Sequence, residues 1–153
     1  MIRKIVLRLI TKLLKYYSYK SKRMVACYND SIGFEIIING FYEKSILDLL
    51  RSKFPEKMRN TIFLDIGANI GNHSLFLSSI FDKVLAVEPN PICVNLMKAT
   101  KDANLVSNIL IIPKGLGDVI ENKALMFNEA HTGGGTFLNS ELNSNARSFN
   151  VQI

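Results

Sequence analysis

FLDIGANIGNHS, residues 63–74, runs an apolar segment into an acid and then into a stretch with almost no side chain. Asp65 closes the apolar run. Gly67 and Gly71 then sit four apart with Asn69 midway between them. Glycine lets the backbone take positive φ and lets a ligand come close to main-chain atoms. In an open parallel sheet, ligands bind at the carboxyl ends of the strands. The stretch therefore reads as a strand, a ligand-facing turn and the start of a helix.

Three short apolar runs set the frame around it: TIFLD (61–65), KVLAVE (83–88) and NILIIP (108–113). None alternates, which predicts strands buried on both faces. Helical stretches are expected between them, the first over about 72–81. The second follows Asn90, a good N-cap, and Pro91, a good first helical residue. On it Ile92, Leu96, Ala99 and Ala103 share a face. Strand–helix–strand–helix–strand predicts an α/β chain with a parallel sheet, the opening half of a Rossmann-like, doubly wound fold.

Glu88 ends the second strand, twenty-three residues after Asp65. That spacing suits a carboxylate accepting hydrogen bonds from ribose hydroxyls. A dinucleotide fingerprint would want glycine where Asn69 and Asn72 stand, and a phosphate-binding Gly-Lys-Ser/Thr is absent. Two acids framing a bare turn fit a cationic ribose-bearing ligand, such as S-adenosylmethionine, better than a diphosphate.

On these residues the chain resembles the FkbM-type S-adenosylmethionine-dependent methyltransferases. DIGANIGNHS followed by VLAVEPNP carries the likeness; GFYEKSILDLL, KGLGD and GGGTFL are similar to that family's flanking segments. It covers roughly residues 24–153. The resemblance implies a class I methyltransferase fold with a seven-stranded sheet. It implies that Asp65, Gly67, Ala68, Asn69 and Gly71, with Asn72 beside them, line the methionine part of the cofactor. Glu88 would hold the ribose, Pro89 and Asn90 would shape the adenine edge, and Gly117 and Asp118 would close the adenine pocket. It also implies O-methylation of a sugar or other small-molecule hydroxyl. Neither a catalytic base nor a metal ligand stands out.

The family's pattern continues into a fourth parallel strand with an acid-rich motif, which has no counterpart here. The expectation is a partial methyltransferase domain over 24–153, with TIFLD left as an unpaired edge. Such a chain should be aggregation-prone and a feeble catalyst. The alternative is a non-catalytic remnant that binds the cofactor weakly or serves as an interaction module at a membrane. A nicotinamide-dependent oxidoreductase is disfavoured by Asn69 and Asn72.

The rest of the chain sets narrower bounds. At 153 residues it is the size of one domain. Its net charge of +6 is concentrated at one end. Residues 1–23 hold eight Lys or Arg and no acid, leaving eleven basic against thirteen acidic residues in the remainder. A nucleic-acid groove on the folded part is therefore not supported. In 1–23, Ile2, Ile5, Val6, Leu9, Ile10, Leu13, Leu14 and Tyr17 have helical spacing, with basic residues mostly opposite. This predicts a basic amphipathic helix that either packs on the domain or lies on an anionic membrane. Arg8 and Lys12 argue against a secretory signal, and no apolar run is long enough to span a membrane. Two cysteines, Cys27 and Cys93, suggest a reducing, cytoplasmic setting.

MVACYNDSIGFEIII is expected to form two short strands around a turn at Gly33. YEKSILDLLRSKF (42–54) is expected to be a helix with Ile46, Leu49, Leu50 and Phe54 inward, stopped by Pro55. Residues 128–150 read as a long loop, with a mobile glycine flap at EAHTGGGTF. His73 and His131 are assigned no chemical role.

Overall fold

The computed structural model describes residues 3–10, 22–27, 31–54, 56–128, 131–137 and 146–153. Five helices and six strands follow one another among them. Helices are α1 (3–10), α2 (Ser31–Asn39), α3 (Lys44–Lys53), α4 (Asn72–Leu77) and α5 (Pro91–Ala103). Strands are β1 (Met58–Ile66), β2 (Phe81–Val87), β3 (Ile109–Ile112), β4 (Asn122–Asn128), β5 (His131–Thr136) and β6 (Ala146–Gln152). No helix among the described residues is long and apolar enough to cross a membrane.

β1, β2 and β3 form a parallel sheet in that order, with Asp65 beside Ala86 and Val87 beside Ile112. Parallel neighbours need crossovers, and α4 and α5 provide them. The chain is therefore α/β, with the first half of a Rossmann-like sheet. α5 starts as its sequence dictates. Asn90 stays extended and its Oδ1 accepts from the Ile92 amide at 3.0 Å, with Pro91 in the first turn.

The helix faces are turned in part from those expected: Leu50, Phe54 and Leu96 pack inward as their spacing predicts, but several of their companions do not. In α5 the buried residues are Cys93, Val94, Met97 and Thr100, while Ala99 and Ala103 are exposed. Both sets have helical spacing, so periodicity could not choose between them; contact with Ala68, Val84, Ala86 and Ile109 does. In α3 Leu47 is fully buried, whereas Ile46 and Leu49 face outward. That helix ends at Lys53 with Phe54 as its cap, ahead of Pro55, which lies outside the described residues. α4 is shorter than expected and stops at Leu77.

The N-terminal hairpin is not formed. Residues 22–27 have no regular structure, and the second expected strand is helix α2. β-branched FEIII favours a strand, but Ile32 and Ile36 lie one turn apart and pack on Ile70 and Cys93. Burying that i,i+4 pair outweighs the local preference. Gly40, at φ +80°, ends α2, its amide donating to Ile36 O at 2.8 Å.

Asn72 joins these helices to the motif. Its Oδ1 accepts from the Tyr42 amide at 3.0 Å and its Nδ2 donates to Tyr42 O at 2.9 Å. Asn72→Ala would strand both main-chain groups of half-buried Tyr42 beside a buried site. The expected cost is about 2–3 kcal/mol, read as a lower denaturant midpoint at unchanged slope.

Among the described residues, one side of the parallel sheet is covered and most of the other is exposed. Phe63, Val84, Ala86, Ile109 and Ile111 pack with Met97 of α5. Ile62, Leu64, Ile66 and Leu110 are each more than half exposed, so β1 is not buried on both faces as its composition suggested. Among the described residues β1 pairs with β2 alone.

The expected long loop is instead an antiparallel sheet in the order β5-β4-β6. β4 and β6 pair from Asn122↔Gln152 to Asn128↔Ala146, and Phe127 stacks on Phe149 at 5.4 Å. HTGGGT in β5 is poor strand sequence. β4 supplies the partner edge it needs, and Gly135 leaves room for Leu125 beside it. Residues 129–130 and 138–145 of that segment lie outside the described residues.

Candidate functional site

The turn after β1 is left-handed at three points: Gly67 (φ +72°), Asn69 (φ +50°) and Gly71 (φ +81°). Glycine takes that region without cost, and asparagine tolerates it better than most residues. Asn69 is held there from two sides. Its amide donates to Glu88 Oε2 at 2.8 Å, and its Oδ1 accepts from the Cys93 thiol at 3.1 Å.

Three more amides of the turn are also committed. Gly67 and Ala68 both donate to Val87 O, at 2.9 and 3.0 Å, and Gly71 donates to Ala68 O at 2.8 Å. The bonds to Val87 splice the turn to the end of β2.

Glu88 follows β2 directly and is buried, at 7% exposure. Its second oxygen, Oε1, accepts from the Asn90 amide at 2.8 Å. Burial raises its pKa above the ordinary glutamate value; the amides of Asn90 and Asn69 oppose this, and the charge of nearby Asp65 adds to it. Asp65 accepts from Ser74 Oγ at 2.5 Å.

A cleft of about 200 Å³ opens on this turn, lined by Gly67, Asn69, Glu88, Pro89, Asn90, Leu125, Gly135 and Phe137. Five of the sequence-derived residues meet there. Asp65, in β1, and Ala68 and Gly71, in the turn, do not line it, and Asn72 faces Tyr42 instead. Gly117 and Asp118 line a separate cleft with Lys114, Leu116 and Ile153. His73 is half-buried, its Nε2 3.6 Å from Glu43 Oε2, and His131 belongs to β5.

Leu125, Gly135 and Phe137 form a cleft wall that the sequence reading did not assign to the site. GGGTFL marked the segment of Gly135 and Phe137 but gave those residues no role, and no motif marks Leu125. The apolar run ALMF (124–127) was the available sign that a strand lay there.

No family model matches the chain, and no curated protein matches it. Solved structures do. SMU.1697c of Streptococcus mutans, described as a candidate methyltransferase and solved with S-adenosylhomocysteine, is 25% identical, with a TM-score of 0.42; the match covers 47% of this chain and 39% of that one. YcgJ of Bacillus subtilis is 20% identical, with a TM-score of 0.41, over 45% of this chain and 29% of its own. The chain thus spans well under half the length of either protein. At such TM-scores the likeness settles nothing by itself, and the fold rests on the strand order described above.

Proposed function

We propose that the cleft binds S-adenosylmethionine and that the chain is the cofactor-binding part of a class I, FkbM-type methyltransferase. The acceptor in this reading is a sugar or other small-molecule hydroxyl. One observation carries the choice of ligand: the amides of Gly67, Ala68, Asn69 and Gly71 all donate within the protein. A diphosphate is gripped by main-chain amides that point outward, and this turn has none of those four to offer a dinucleotide.

What the site offers is acceptor chemistry. Each Glu88 oxygen takes one main-chain amide, and a carboxylate oxygen has room for two donors. Ribose hydroxyls fit that spare capacity, and the charges of Asp65 and Glu88 favour a cationic ligand. Pro89 and Asn90 would border the adenine, with Phe137 as an apolar face for the ring. The bound cofactor would supply an activated methyl group; this chain's residues hold it in place and exclude water on the Leu125–Phe137 side. Orientation of that kind is worth roughly 7–11 kcal/mol at best.

Calorimetric titration tests the reading. S-adenosylhomocysteine is expected to bind at one site and NAD to give no heat; the reverse result overturns it. Phe137→Ala is expected to weaken S-adenosylhomocysteine by about 1 kcal/mol, roughly fivefold. The uncovered side of β1 favours a second reading, in which the chain binds the cofactor without turning it over. Methyl transfer to a panel of hydroxyl acceptors by the purified chain decides between the two.

A further inference from the structure

The helix α1 presents its apolar residues to solvent. Ile5, Val6, Leu7, Leu9 and Ile10 are 46–57% exposed, and every residue of the helix is exposed. Over residues 3–10, the described part of this stripe, the apolar side chains are not packed on the domain. Ile5, Val6, Leu9 and Ile10 lie on one side, while Lys4 and Arg8, one turn apart, lie on the other. Sequence extends both sides: Leu13 and Tyr17 continue the apolar stripe, and Lys12 and Lys15 the basic one.

We infer that this segment is a surface anchor for an anionic lipid bilayer. Apolar side chains entering the headgroup boundary with cations beside them is how an interfacial helix binds. Charge selects this occupant over the uncovered sheet of the same fold. Residues 1–23 hold eight cations and no acid. On the uncovered side of the sheet, exposed Lys83 stands in register beside Ile62 and would repel them. An anionic leaflet attracts the exposed cations of α1, whereas Lys22 is engaged by Ser78 Oγ on the domain; the attraction fades within a Debye length. The cofactor cleft plays no part in this, so the inference stands or falls independently of the proposed function.

The test is co-sedimentation of the full chain with vesicles of phosphatidylcholine alone or with 30% phosphatidylserine added. Binding is expected only to the anionic vesicles and should fall as salt is raised from 0.05 to 0.5 M. Arg3→Gln/Lys4→Gln/Arg8→Gln is expected to weaken it about a hundredfold, roughly fivefold per cation. Leu9→Glu/Ile10→Glu, at exposed sites, should abolish it with no change in thermal midpoint. Equal binding to neutral vesicles, or none to either, overturns the inference. So does a lowered thermal midpoint, or a change of oligomeric state, in the Leu9→Glu/Ile10→Glu chain without lipid, which would mean that α1 covers protein.

Discussion

Glu88→Gln is expected to remove most of the affinity for S-adenosylhomocysteine, a loss of at least about a hundredfold. The side chain accepts two main-chain amides, from Asn69 and Asn90. A carboxylate can serve both; an amide cannot, because its nitrogen only donates. One buried N–H then faces another donor, at a cost of about 1–3 kcal/mol. The turn that holds Asn69 at φ +50° loses its anchor. The ribose loses charge-assisted hydrogen bonds worth roughly 1.5–3 kcal/mol each. Titration of wild type and Glu88→Gln measures the effect, and near-equal affinities would remove Glu88 from the site. Glu88→Asp keeps the charge but withdraws it by one methylene, so partial affinity is expected.

The same residue gives a pH dependence of definite sign. Burial, the largest cause, raises the folded-state pKa of Glu88. Between the unfolded and folded values the native state holds the extra proton. Stability from this group is therefore full below the ordinary glutamate pKa and declines as pH rises through the folded one. Ligand affinity runs the other way, because the ionised form is the better acceptor. Affinity should drop on acidification, with a midpoint above that of an ordinary glutamate. A flat profile in wild type, or the same drop in Glu88→Gln, would assign the dependence elsewhere.

The largest loss of stability is expected at Gly71. It combines φ +81° with a crowded site: a Cβ there would lie 2.5 Å from Met97 Cγ. Met97 is 1% exposed, packed in the core that joins α5 to the sheet, and Cγ is too near the backbone to swing clear. Left-handed strain of roughly 1–2 kcal/mol adds to overpacking of roughly 1–3 kcal/mol, so Gly71→Ala should cost about 3 kcal/mol. Gly67→Ala separates the two effects. Gly67 sits at φ +72°, and a Cβ added there would meet nothing within 4 Å. Only the strain of roughly 1–2 kcal/mol then applies. Equal denaturant midpoints for the two variants would refute the packing argument.

The two halves of the chain differ in how much their sequence discloses. Residues 61–113 are legible because each element there is set by local chemistry. β1, β2 and β3 are apolar runs, Asn90-Pro91 starts a helix, and the glycines after Asp65 permit a turn closed to other residues. The helix faces are not legible, since Ile92/Leu96 and Cys93/Met97 share one periodicity and only the sheet beneath distinguishes them. α2 reads as a strand because its isoleucines suit either structure until Ile70 and Cys93 stand beside it. The antiparallel sheet is hidden for a related reason: β5 is glycine-rich and has no strand preference of its own.

The sequence by itself determined the parallel order of β1 to β3, the left-handed turn, and the acids at neighbouring strand tips, since apolar runs, positive-φ glycines and strand-end position are local properties. Only the tertiary structure decided the rest. It sealed the amides of Gly67, Ala68 and Asn69 against Val87 and Glu88, brought Leu125, Gly135 and Phe137 over the cleft, and left α1 and one side of the sheet in solvent. Hydrogen-bond direction, cleft walls and exposure depend on which distant segments meet, and no spacing along the chain encodes that.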